Sequence, residues 1–194
     1  MPIFYIQLFN VTQNNPVPIS FAYDFSSLPL LARYSTSTTE MFAFLAKTFI
    51  SNTKVGYRQG CSEDDYYGWA YIDSDQLGGV VMTDIEYDRR VSFSLLDHVM
   101  REYKESERNW DWTTIKDPII DIDDDIKQLV LLYQNPERVD SILKINRELD
   151  NTKTVLYKSI DKMLERGEKI DTLVLKSDEL SHQSKMFYKK SKKL

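Results

Sequence analysis

Between Ile3 and Phe9 apolar and polar positions alternate, with aromatics at Phe4 and Phe9, the pattern of a strand. The turn cluster Thr12-Gln13-Asn14-Asn15-Pro16 follows, and Val17 to Tyr23 can return as a second strand of a hairpin. Ser26 to Pro29 and Ser35 to Thr39 carry loop chemistry, and Thr39 is placed to cap a helix from Glu40 to Ser51. The apolar residues of that helix, Met41, Phe42, Phe44, Leu45, Phe49 and Ile50, wrap more than one face. A helix facing one sheet shows a narrower stripe, so a second body should cover the remaining face. Tyr57 to Cys61, Tyr66 to Ile72 and Leu77 to Thr83 read as three further strands, the last two joined by a turn over Asp73 to Gln76. Gly78-Gly79 lacks the Lys-Ser/Thr of a phosphate loop and reads as backbone freedom beside that turn. Val91 to Tyr103 and Ile122 to Tyr133 read as amphipathic helices, with Trp110 and Trp112 in the connection. Asn135-Pro136 ends the second of them and marks a boundary. Strands, one helix, three strands and two helices predict a small α+β domain over residues 1–136.

Beyond the boundary, over residues 137–194, the periodicity changes to alternating steps of three and four. The positions are Ile142, Ile145, Leu149, Thr152, Leu156, Ser159, Met163, Arg166, Ile170, Leu173, Ser177, Leu180, Ser184, Phe187, Ser191 and Leu194. No Pro interrupts them, and such a seam winds around partner helices as a coiled coil. As one helix it would be on the order of 80 Å long at about 1.5 Å per residue, too long for a small core to bury. Arg166 occupies a seam position that should be apolar. A guanidinium there is tolerable only if acceptors on the partner helices meet its planar fork of donors. Like charges would face one another in a parallel homo-oligomer, so a hetero-oligomer fits better. Thr152, Ser159, Ser177, Ser184 and Ser191 weaken the seam, and Gly167 costs about 1 kcal/mol of helix propensity. The segment is therefore expected to fold on partners rather than alone.

Composition narrows the class. The chain has 194 residues, one Cys and a net charge of −5. No run of about 18 apolar residues is present, and the start of the chain shows no signal peptide. From Glu137 onward there are fourteen Lys and Arg against ten Asp and Glu, a net of +4 that leaves −9 for the front of the chain. An acidic front half argues against nucleic-acid binding. Lys185, Lys189, Lys190, Lys192 and Lys193 cluster at the end, either as a solvated helix end or as a polybasic segment facing anionic lipid.

Catalytic chemistry finds little support. His98 lies inside a helix pattern and His182 between seam positions. Cys61 has no neighbouring base to activate it. Asp121, Asp123, Asp124 and Asp125 lack the Gly and distal Glu of a calcium loop and suit a helix N-terminus. No enzyme activity, metal or cofactor is expected.

The stretch Leu164-Glu165-Arg166-Gly167-Glu168-Lys169-Ile170-Asp171 resembles the central-layer motif of the arginine-type SNAREs. The flanks Glu148-Leu149-Asp150-Asn151-Thr152-Lys153 and Ser184-Lys185-Met186-Phe187-Tyr188-Lys189 are similar to the same family, in particular to its soluble, lipid-anchored longin members. The resemblance covers nearly the whole chain. It implies a longin (profilin-like) domain with a five-stranded antiparallel sheet and three helices, followed by a coiled-coil SNARE segment. It implies a vesicle SNARE whose Arg166 forms the zero layer of a parallel four-helix bundle with three glutamine-type SNARE helices. It further implies that the longin domain folds against its own SNARE segment through a Phe on the Glu40–Ser51 helix, placed at Phe44, with Phe42 as the alternative. Phe44 could instead pack simply on the sheet. The family's prenylated and palmitoylated Cys-Cys box has no counterpart before Leu194, so a membrane anchor of that kind is implied only by the resemblance. Peripheral attachment from the cytoplasm to Golgi, endosomal, vacuolar or ER-derived membranes is implied likewise. The competing reading is a longin-domain trafficking adaptor or coiled-coil scaffold without fusion activity.

Overall fold

The computed structural model describes residues 2–33, 35–63, 66–106, 111–119, 121–135, 139, 153–164 and 167–191. Five strands, β1 (Ile3–Asn10), β2 (Val17–Tyr23), β3 (Tyr57–Glu63), β4 (Tyr66–Ile72) and β5 (Leu77–Asp84), pair antiparallel in the order β2-β1-β5-β4-β3. Helix α1 (Leu30–Arg33) leads into α2 (Thr36–Ser51), which lies on β1, β4 and β5. Helices α3 (Arg89–Glu105) and α4 (Asp124–Tyr133) touch each other and cover the opposite face. All eight residues of β1 are buried because helices cover both of its faces. The strand period then sorts side chains between two cores: Ile6 and Leu8 join Leu95, Leu96, Val99, Val130 and Tyr133, while Tyr5 and Phe9 join Met41, Leu45 and Phe49 under α2.

The ends of the helices follow local chemistry. Asp88 caps α3, its carboxylate accepting from the Arg90 and Val91 N–H groups at 2.7 and 3.2 Å. Asp123 caps α4 through the Asp125 and Ile126 N–H groups at 3.1 and 3.2 Å, so α4 begins at Asp124 rather than Ile122. Helix α2 starts a full turn earlier than its pattern predicts. Ser37 and Thr38 are buried, and the Thr38 hydroxyl donates to the Ala32 carbonyl at 2.8 Å. Burial overrides the loop preference of that Ser/Thr run. Gly78 and Gly79 do not serve as backbone freedom; in that turn it is Gln76 that takes a positive φ, 64°. They let the helices approach. A Cβ on Gly78 would meet Ile50 at 2.9 Å, and one on Gly79 would meet Leu96 at 3.0 Å.

The longin resemblance holds for this α+β body, with one correction to the sheet. A sixth strand, β6 (Lys153–Tyr157), runs parallel to β3 at its outer edge, in register Arg58↔Thr154 and Cys61↔Tyr157. It comes from the stretch expected to be helical. The described residues that follow are likewise not one rod: they form α5 (Ile160–Met163), α6 (Ile170–Lys176) and α7 (His182–Ser191). The breaks fall where the seam is weakest. Ser159 precedes α5, Gly167 takes φ +96° between α5 and α6, and Ser177 ends α6. The boundary residue Pro136 lies outside the described residues.

Candidate functional site: the C-terminal segment on helix α2

Helix α2 presents two stripes. Met41, Leu45 and Phe49 are buried towards the sheet. Glu40, Phe44 and Lys47, spaced four and three residues apart on another face, meet the C-terminal segment. This double use is the physical reason for an apolar face too broad for one sheet. The segment adds Ile160, Met163, Leu164, Ile170, Val174 and Leu180 to the cluster that holds the buried residues of α2, all buried.

Polar contacts fix its path. The Ser62 hydroxyl donates to the Lys158 carbonyl at 3.2 Å, and the Ile160 N–H donates to the Glu63 carboxylate at 2.9 Å. Lys153 lies over the Tyr57 ring, 5.6 Å from its centroid. The Ile170 N–H donates to Asp161 at 2.9 Å, and the Tyr188 hydroxyl to Asp171 at 2.6 Å. Along α2, Lys47 pairs with Glu179, and Glu40 accepts from the Ser184 hydroxyl at 2.6 Å and from the Ser181 N–H at 3.1 Å. These hydrogen bonds, that of Ser184 foremost, hold the Glu40 carboxyl below its ordinary range.

The seam positions divide. Met163, Ile170, Leu180 and Ser184 are buried against the domain, and Ser159, Leu173, Ser177 and Phe187 are half-buried. Leu156 is 51% exposed, lying on β6 over Gly60, where an added Cβ would come within 3.0 Å of it. Ser191 closes α7. Ile142, Ile145, Leu149, Thr152, Arg166 and Leu194 lie outside the described residues.

The two phenylalanines on α2 differ. Phe44 is half-buried and lines a cleft of about 460 Å³ whose facing wall includes Leu164, Leu173 and Lys176. Phe42 joins an aromatic cluster instead, with ring centroids 5.4 Å from Phe25, 5.9 Å from Tyr5 and 6.0 Å from Phe4. Sequence reasoning missed Glu40, Lys47, Ser62 and Glu63. The spacing of Glu40 and Lys47 about Phe44 was a legible signal, whereas Ser62 and Glu63 had none.

Residues weighed for chemistry are otherwise engaged. Cys61 is buried and its thiol is pushed up to about 12 by burial. His98 is 3.2 Å from the Tyr133 hydroxyl and 3.5 Å from the Glu102 carboxylate, and burial lowers its pKa. His182 is exposed at the start of α7. Asp123 takes the Ser20 hydroxyl at 2.8 Å besides capping α4. No helix among the described residues is long and apolar enough to cross a membrane.

Residues 141–194 match the Synaptobrevin family, and residues 31–120 match the Longin family, described as a regulated-SNARE-like domain. The whole chain is 40% identical over 194 residues to the synaptobrevin homolog YKT6 of Yarrowia lipolytica, covering 96% of that protein. It is 37% identical over 196 residues to the homolog of Saccharomyces cerevisiae, again across the whole chain and 96% of the relative. With the homolog of Schizosaccharomyces pombe it shares 35% over 189 residues, 95% of this chain and 93% of the relative.

Proposed function

From the premise that this chain belongs to the longin-type arginine SNAREs, vesicle proteins of membrane fusion, we propose that it alternates between a closed chain and one helix of a fusion bundle. The family is a non-enzymatic one that acts in intracellular membrane trafficking. In the assembled state three glutamine-type SNARE helices pack on the seam, and their glutamines accept from Arg166 at the zero layer. In the closed state the segment over residues 153–164 and 167–191 folds back on the domain, with Phe44 against the segment and Phe42 supporting the helix beneath it. Membrane attachment is peripheral, through a lipid anchor, on Golgi, endosomal, vacuolar or ER-derived membranes.

One observation carries this reading. Met163, Ile170, Leu180 and Ser184 are seam positions and are buried against the chain's own domain. A side chain cannot pack against its own domain and inside a four-helix bundle at once, so closure and assembly exclude each other. The test is Phe44→Glu. Burying that carboxylate against the segment is costly, whereas in the open chain it meets water. Hydrogen exchange is expected to rise across residues 153–191 while α3 stays protected, and small-angle scattering should show a larger radius. Assembly with three glutamine-type helices should become faster. Loss of α3 protection in the variant would instead place Phe44 in the domain core.

A further inference from the structure

We propose that Glu40 is the latch of the closed chain: its carboxylate completes the N-terminal cap of α7 from across the interface, so α7 is fully capped only when docked. This rests on the closed reading above and names the group that holds it.

The geometry is that of a capping box divided between two helices. In a single helix, an N-cap Ser bonds the N–H three residues on, and a Glu at that third position reaches back to the N-cap N–H. Ser181 fills the first role, its hydroxyl oxygen accepting from the Ser184 N–H at 3.2 Å. The third position is Ser184, too short to reach back. Glu40 supplies the missing carboxylate, accepting the Ser181 N–H at 3.1 Å. The Ser184 hydroxyl then holds that carboxylate at 2.6 Å, while the Ser181 hydroxyl donates to the Ser184 oxygen at 3.0 Å. A negative charge at the start of a ten-residue helix also meets the positive end of its dipole.

Burial of one donor, Ser184, separates this contact from its neighbour, while Ser181 is exposed and Glu40 only partly covered. The Lys47–Glu179 pair lies seven residues along α2, but the Glu179 side chain is 57% exposed. Water competes for such a pair, and it contributes little. Ser184 is fully buried, and without Glu40 its hydroxyl is left with the neutral Ser181 oxygen at 3.0 Å in place of a carboxylate. Ser184 is also a seam position. A serine there is small enough for a bundle layer and carries one of the two donors to Glu40, which Ala would lack at nearly the same size. Ser184→Ala therefore separates the latch from the layer.

The test is hydrogen exchange on the whole chain for wild type, Glu40→Ala, Glu40→Gln, Ser184→Ala and the double variant Glu40→Ala/Ser184→Ala. A charge-assisted hydrogen bond lost from this site should speed exchange of the α6 and α7 amides about tenfold. Each alanine variant should do so, Glu40→Ala the more because it also frees the Ser181 N–H, and the double variant should not exceed Glu40→Ala by more than a small factor, since Ser184→Ala removes a contact that Glu40→Ala already removes. Glu40→Gln keeps an acceptor oxygen and should fall between wild type and Glu40→Ala. Exchange in α3 should not change in any of them. Protection of α7 in Glu40→Ala equal to wild type, or fully additive single effects, overturns the latch and leaves closure standing. Unprotected α6 and α7 amides in the wild type would overturn closure itself and the latch with it.

Discussion

The two faces of one sheet are covered by different kinds of material. On one, α3 and α4 lay Leu95, Leu96, Val99 and Val130 directly on the strands, all fully buried. On the other, α2 does the same with Leu45 and Phe49, but a second layer, the C-terminal segment, lies over α2 and beside β3. That layer mixes buried apolar side chains with serines, half-buried seam residues and an ion pair open to water. The first face is a permanent core. The second layer has the composition of a surface suited to leaving, as the proposed exchange between the closed chain and the bundle requires. Burial per residue, rather than the presence of contacts, distinguishes the two.

The largest effect should come from cutting the permanent core. Phe49→Ala removes a fully buried ring that fills the space over Gly68 and should cost about 3–5 kcal/mol. Urea denaturation followed by tryptophan fluorescence would read it as loss of the whole domain. A loss confined to residues 153–191 would erase the distinction between core and clasp.

Arg166→Ala sharpens the comparison from the other side. Its effect should be confined to the assembled bundle, at roughly 1–3 kcal/mol for each partner group left without a donor. Thermal melting of complexes carrying either form measures it, and equal melting would remove Arg166 from a buried layer. Unassembled, the two forms should melt alike.

Gly60→Ala probes the seam between the two regions. Its Cβ would lie 2.6 Å from the Trp69 ring and 3.0 Å from Leu156. The ring belongs to the permanent core and cannot yield cheaply, so overpacking should cost about 1–3 kcal/mol. Leu156, on the strand that can leave, should move first. Exchange at residues 153–157 should therefore rise more than exchange in β4, and the reverse order would make β6 as permanent as the strands beside it.

The smallest effect is set by acid. The folded pKa of Glu40 is depressed, chiefly by the Ser184 hydroxyl. Its contribution to closure is therefore full above the unfolded value and is lost as pH falls through the folded one. Protection of α7 should weaken below about pH 4.5, the ordinary value for this group, and this dependence should vanish in Glu40→Gln. A dependence that survives the substitution would assign it to other carboxylates.

Much of the fold was legible because it rests on local periodicity. The five strands and the main helices follow from where apolar residues recur and where Pro, Gly and Asp interrupt them. The errors lie where a distant contact decided. Thr36 to Thr39 read as loop until Thr38 found the Ala32 carbonyl and burial beneath the domain. Gly78 and Gly79 read as a turn until Ile50 and Leu96 were seen to need the space. Phe44 and Phe42 could not be told apart by spacing, because a broad apolar face does not say which part meets which neighbour.

The sequence by itself set out the spacing of the seam, with Arg166 at one of its positions, since a heptad pattern is a property of spacing alone, and the residues around Arg166 carried the resemblance to the family. Only the tertiary structure decided what the seam does in the chain by itself. Lys153 to Tyr157 carries both a helical seam position, Leu156, and the β-branched and aromatic residues Thr154, Val155 and Tyr157 that suit a strand. Local preference leaves the two forms open. The open edge of β3, with Gly60 making room for Leu156, selects the strand. In the same way the cap of α7 is incomplete in its own sequence and is completed by Glu40, 141 residues from Ser181 in the chain. A contact of that span lies beyond any periodicity and exists only once the chain has folded back on itself.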